Sequence, residues 1–168
     1  MSSFVKSFQN LNQVSEFYFI LKLLHIIFVI AFLGNITVGL FWKYFAEKTK
    51  EPDKIAFAFR GIIKADRIFT LPGVIGITVF GLGAAFHVPY PIFSTGWILW
   101  SIILFIISGI AFMAKVVPLQ RKIAALAEDK QNFKWDEYHK LAKEWEFWGF
   151  VALITPVAAT VLMVLKPF

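Results

Sequence analysis

The chain has no cysteine among its 168 residues, so it forms no disulfide, offers no thiolate to a metal, attaches no c-type haem and has no cysteine nucleophile. Charge is scarce too. Asp, Glu, Lys and Arg make up 17% of the residues, against 58% that are hydrophobic. They are missing altogether from Leu23 to Trp42, from Ile68 to Ala114 and from Phe147 to Leu165, runs of 20, 47 and 19 residues. With a mean hydropathy of +0.69, the chain carries more apolar surface than a soluble domain can shield, which places it in a membrane. Also lacking are a Gly-rich phosphate loop, a His-Glu-x-x-His pair, a nucleophile elbow and a Ser/His/Asp constellation. The segment Met1–Asn10 has neither the compact apolar run nor the cleavage site of a signal peptide, so the first helix is expected to stay in the mature protein.

A helix rises about 1.5 Å per residue, and about 20 residues cross the hydrocarbon core. The first and third uncharged runs each make one span and the middle run makes two. Its division falls at His87-Val88-Pro89-Tyr90-Pro91, where two prolines one residue apart forbid a continuous helix. The expected fold is all-α: a four-helix transmembrane bundle with amphipathic cytoplasmic loop helices, one integral membrane domain over residues 1–168. The spans fall at about 19–42, 68–86, 96–117 and 147–165.

The net charge of +6 comes with no basic groove or nucleic-acid motif, so no nucleic-acid partner is expected. Position explains the charge instead. Seven of the 17 Lys and Arg lie between the first and second spans, seven between the third and fourth, and none between the second and third. The positive-inside rule then puts both long loops in the cytoplasm and both termini outside. This reads as a multi-pass protein of a bacterial inner (cytoplasmic) membrane, in contact with the lipid bilayer, with another membrane protein or a second copy as partner.

Pro52 suits the first turn of a new helix. Ile55, Phe59, Ile62 and Ile63 then recur at helical spacing, giving an amphipathic piece that lies on the membrane or runs into the second span. The second span is rich in small residues (Gly73, Gly76, Gly81, Gly83), which let helices approach closely. It is expected at the bundle centre, with a kink at Pro72. Ser101 and Ser108, seven apart, share a face of the third span. Between the third and fourth spans, Arg121–Glu128 and Trp135–Trp148 form a helical hairpin around Asp129-Lys130-Gln131-Asn132. Its second arm lays Tyr138, Leu141, Ala142 and Trp145 on the bilayer or on the first loop.

Ionisable residues inside a span are costly and usually functional, and His25 is the one that qualifies. Topology places His87 in the same leaflet. Together they form a candidate haem pair, or a copper or zinc site with Glu16 as third ligand. The alternative is structural: His25 bonds a backbone carbonyl or a serine of a neighbouring helix, and His87 caps a helix. Asp66, Arg67, Thr70 and Gln120 make a second polar cluster, where an acid at the start of a span fixes helix register.

The runs Leu21-Lys22-Leu23-Leu24-His25, Asp66-Arg67-Ile68-Phe69-Thr70-Leu71-Pro72-Gly73, Gly81-Leu82-Gly83, Gly96-Trp97-Ile98, Pro118-Leu119-Gln120 and Leu162-Met163-Val164-Leu165-Lys166-Pro167 resemble the integral membrane proteins grouped as domain of unknown function 2269. That family is similar to a wider four-helix group containing the copper-resistance CopD proteins and the HemJ-type protoporphyrinogen oxidases. The resemblance to the HemJ type rests on Lys22, His25 and the closing Lys166-Pro167-Phe168, and implies haem b at His25. The basic residue of the HemJ third helix has no counterpart from Trp97 to Ala114. The acid of its last helix is missing from Ala152-Leu153-Ile154-Thr155-Pro156, so only the helix-1 histidine carries over. Three functions follow as expectations: haem b held through His25 for electron transfer or haem-linked redox chemistry, a non-catalytic bundle acting as partner or accessory subunit, and metal handling at the outer face. The orientation has its own test: a reporter fused after Phe168 is expected to read as external, and a cytoplasmic signal there overturns the charge argument.

Overall fold

The computed structural model describes residues 2–87 and 91–167, and for residues 2–15 the backbone alone. Pro89 and Tyr90, at the expected break between the middle spans, and Phe168 lie outside the described residues. Among the described residues there are six α-helices: α1 (Ser2–Lys48), α2 (Pro52–Ala65), α3 (Leu71–Ala85), α4 (Gly96–Ala111), α5 (Val117–Glu128) and α6 (Trp135–Leu165). A π-helical turn, Asp66–Thr70, joins α2 to α3, and a second, Phe112–Val116, joins α4 to α5.

The chain therefore forms four long apolar rods packed as a bundle: Glu16–Lys48, Pro52–Ala85, Gly96–Glu128 and Trp135–Leu165. Each has 31 to 34 residues, about 50 Å at helical rise, against about 30 Å of hydrocarbon. Every rod is long and apolar enough to cross a membrane and to continue beyond it at the end where the charged residues collect. Of the two placements open to the first loop's amphipathic piece, it runs into the second span. The hairpin arms expected between the third and fourth spans are continuations of those spans, Arg121–Glu128 belonging to the third rod.

Two prolines explain the π turns. A proline ring collides with the carbonyl four residues back and offers no N–H to it. Here the residue just before each proline, Leu71 or Val117, reaches back five positions, to the carbonyls of Asp66 and Phe112. The widened turn absorbs Pro72 and Pro118 without breaking either rod. Between the first two rods the chain reverses at Thr49–Glu51. Lys50 takes a left-handed conformation (φ 55°) there, and Pro52 opens α2.

At the charged end the rods close into a packed core. Ile55, Phe59 and Ile62 of α2 meet Leu119, Ile123 and Ala127 of α5 and Tyr138, Ala142 and Trp145 of α6, all buried. The Phe59 and Trp145 rings meet edge to face with centroids 5.2 Å apart. Of the two surfaces open to the α6 arm, it takes the first loop's helix rather than the bilayer. Lys43 of α1, 5% exposed, is held between Glu47 and Glu146 and ties α1 to α6.

The apolar end is arranged as two helix pairs. Gly73, Gly76 and Gly81 of α3 all face α1. A Cβ at Gly73 would sit 3.1 Å from Phe32 Cβ, one at Gly81 would sit 2.7 Å from His25 Nδ1, and one at Gly76 would run into the Phe28 ring. Because these glycines serve a single neighbour, α3 is not the central helix. Its Ile75, Val79 and Leu82 are exposed, and no Cα of α3 lies within 8 Å of a Cα of α4.

The other pair, α4 and α6, is joined by hydroxyls. Pro156 removes the donor that the Ala152 carbonyl would have had in an unbroken helix. Ser108 Oγ supplies a replacement from α4, at 2.6 Å. Ser101, one heptad earlier, donates to the Trp97 carbonyl (2.7 Å) or the Ala159 carbonyl (3.2 Å), since one hydroxyl carries one proton. Ser108→Ala is expected to cost about 1 kcal/mol in a reversible unfolding measurement. In a Pro156→Ala background, where the helical donor returns, the same change should cost clearly less; equal losses in both backgrounds would disprove the compensation.

Candidate functional site

His25 projects from α1 onto α3. Its Nδ1 lies 3.0 Å from the Ile77 carbonyl, and the missing side chain of Gly81 makes room for the ring. Beside it is a cavity of ≈50 Å³ whose lining includes Phe32, Ser101, Phe105, Thr160 and Met163. His87 is exposed at the end of α3. Its Nδ1 lies 2.7 Å from the Gly83 carbonyl one turn back, and its ring packs edge-on against Phe17. Phe17 and His25 are eight residues apart on α1, about 12 Å along the helix, so the two imidazoles follow one another along the α1–α3 seam and do not face across a shared ligand. Glu16 is exposed. Among the described residues no three His, Asp or Glu side chains gather closely enough to hold a metal ion. His139 is exposed and lies 3.4 Å from Glu47.

The second cluster is more tightly built than its sequence suggests. Asp66 is 8% exposed, inside the first π turn. Its Oδ1 accepts from Asn35 Nδ2 at 2.9 Å and from Thr70 Oγ1 at 2.8 Å, and its Oδ2 accepts from Gln120 Nε2 at 3.1 Å. Asn35 Nδ2 also donates to Thr70 Oγ1, at 2.8 Å. Three rods thus supply donors to one carboxylate, and all of the donors are neutral. The described ion pairs engage Lys43, Lys54, Arg60, Lys115, Lys130 and His139 with other acids. Beside Asp66 is a chamber of ≈20 Å³, lined also by Asn35, Gln120 and Trp145.

Of the residues singled out from the sequence, Asp66, Thr70 and Gln120 come together, while Arg67 points away and is exposed. Lys115 is exposed and lies 3.7 Å from Glu144. Sequence reading missed Asn35, although its signal was present: it is the one carboxamide in the first uncharged run. Trp145 was legible as part of an aromatic face but not as a group lining the chamber.

A family of predicted integral membrane proteins, DUF2269, matches residues 19–167, which takes in all four rods apart from the start of α1. The chain belongs to the DUF2269 family. It matches no curated protein and no solved structure. Haem, implied by the resemblance to HemJ-type proteins, can be tested against the donor set of this DUF2269 bundle. The Ile77 bond leaves Nε2 of His25 as a ligand atom, in the manner of an oriented metal-binding imidazole. The space does not fit: pockets for ligands of drug size and above begin at about 300 Å³, and the cavity beside His25 is ≈50 Å³. As it stands, the cavity beside His25 is smaller than a porphyrin needs.

Proposed function

We propose that this membrane protein is a non-catalytic bundle that works as a partner or accessory subunit of another membrane protein, with its charged end in the cytoplasm. The observation supporting this reading is the unsealed apolar half. The charged half is closed by the packing of α2 on α5, whereas no Cα of α3 lies within 8 Å of one of α4, and both helices carry exposed apolar side chains, Val79 and Ile107 among them. Both histidines near that end are engaged with backbone carbonyls of the fold itself. In a bilayer, association depends on close packing of helix faces rather than on hydrophobic drive, and these exposed faces suit an incoming helix. Photo-crosslinking residues placed at Val79 and Ile107 are expected to capture a second polypeptide in native membranes. Adducts with lipid alone would overturn this reading.

Haem b at His25 is a second reading, favoured by the free Nε2 of the oriented imidazole; the small cavity counts against it. Metal handling by His25, His87 and Glu16 has less support, because those side chains do not converge. The absorption spectrum of protein purified after growth with ample haem separates the readings. A Soret band abolished by His25→Ala and kept in His87→Ala would establish the haem reading, and colourless protein would remove it.

A further inference from the structure

The chamber beside Asp66 contains hydrogen-bonding capacity that the protein does not use. Gln120 Oε1 and Trp145 Nε1 have no partner, although the two side chains are only 2% and 3% exposed. Both line the same ≈20 Å³ space as Asp66. A water needs a cavity of about 10–15 Å³ and two or more polar partners. One water held there would accept from the indole N–H and donate to Gln120 Oε1 and Asp66, and so would satisfy both orphan atoms. A metal ion matches the chamber less well, because the indole offers it a donor hydrogen in place of an oxygen ligand.

Among the described residues the carboxylate has no counter-charge to hold it ionised. Lys64 and Arg67, next to it in the second rod, are exposed. On the first rod Lys43 is engaged by Glu47 and Glu146. On the third rod Lys115 is paired with Glu144, and Arg121 and Lys122 are exposed. Glu144 and Glu146, on the fourth rod, are thus turned to lysines. An unpaired buried carboxylate is costly as an anion. Towards the apolar end, Phe32, Ile36 and Ile77 pack with Phe105 and Leu153 and fill the bundle between this chamber and the cavity beside His25. The chamber's other side is the charged end, where Trp145 lines it.

We propose that Asp66 is a proton-binding site that exchanges through one internal water held between Trp145 and Gln120, loaded from the charged end of the bundle. Loading passes one proton from solution through the water to a carboxylate oxygen and forms one O–H bond. Unloading reverses the step, and no further reactant is needed.

Infrared spectroscopy of the full chain in lipid nanodiscs tests this. A carboxylic-acid C=O band that titrates with pH and shifts on transfer to D₂O is expected, and Asp66→Asn should remove it. Trp145→Phe takes one anchor from the water and should slow deuterium exchange of that band about tenfold, the ratio expected for one lost hydrogen bond. If Asp66→Asn does not fold, Thr70→Val assigns the band instead, because loss of the hydroxyl bonded to Oδ1 must shift its frequency. The proposal is overturned by the absence of a titrating band, by its survival in Asp66→Asn, by an unmoved frequency in Thr70→Val, or by unchanged exchange in Trp145→Phe.

Discussion

In lipid, a backbone carbonyl that loses its helical donor has no water to turn to, and three prolines in this chain take that donor away. The fold answers in two ways. At Pro72 and Pro118 the helix widens into a π turn and stays continuous. At Pro156, α6 stays helical and borrows a hydroxyl from α4, so that what looks like a local repair also joins two spans. Much of the architecture follows. The π turns let the second and third rods run unbroken from the apolar end to the charged core, and the serine bridge sets α4 against α6.

The same turns position the polar chemistry. Asp66 and Thr70 bound the first π turn, and Gln120 lies one turn beyond the second. Local widening beside each proline thus coincides with the place where Asn35, Asp66, Thr70 and Gln120 converge, in keeping with the frequent occurrence of π-bulges at functional sites. His25, by contrast, belongs to the glycine-lined seam between α1 and α3, and its ring is fixed by Gly81 and the Ile77 carbonyl. The two polar centres sit at different levels of the bundle with an aromatic and aliphatic plug between them.

Uncharged runs read directly as spans, because the cost of burying charge in hydrocarbon leaves so strong a mark on composition. The α1–α2 reversal at Pro52 and the shared face of Ser101 and Ser108 were equally legible, since both depend on local chemistry. The role of α3 was not. Its glycines signal close approach but do not say to how many neighbours, and they all turn out to serve α1. Arg67 looked like a member of the Asp66 cluster by sequence adjacency, yet adjacent residues on a helix point about 100° apart, and the π turn leaves Arg67 outside. Asn35 joins from another rod, a contact that one-dimensional spacing cannot reveal.

Because the second and third rods pass through the membrane boundary without a loop, the charged core is mechanically continuous with the spans. A tilt of α3 or α4 would be carried along the rod towards the charged core, where Phe59 of α2 meets Trp145 of α6. Trp145 also lines the Asp66 chamber. The packed core and the polar site therefore share a side chain, through which a change in how the spans sit in the bilayer would reach the carboxylate.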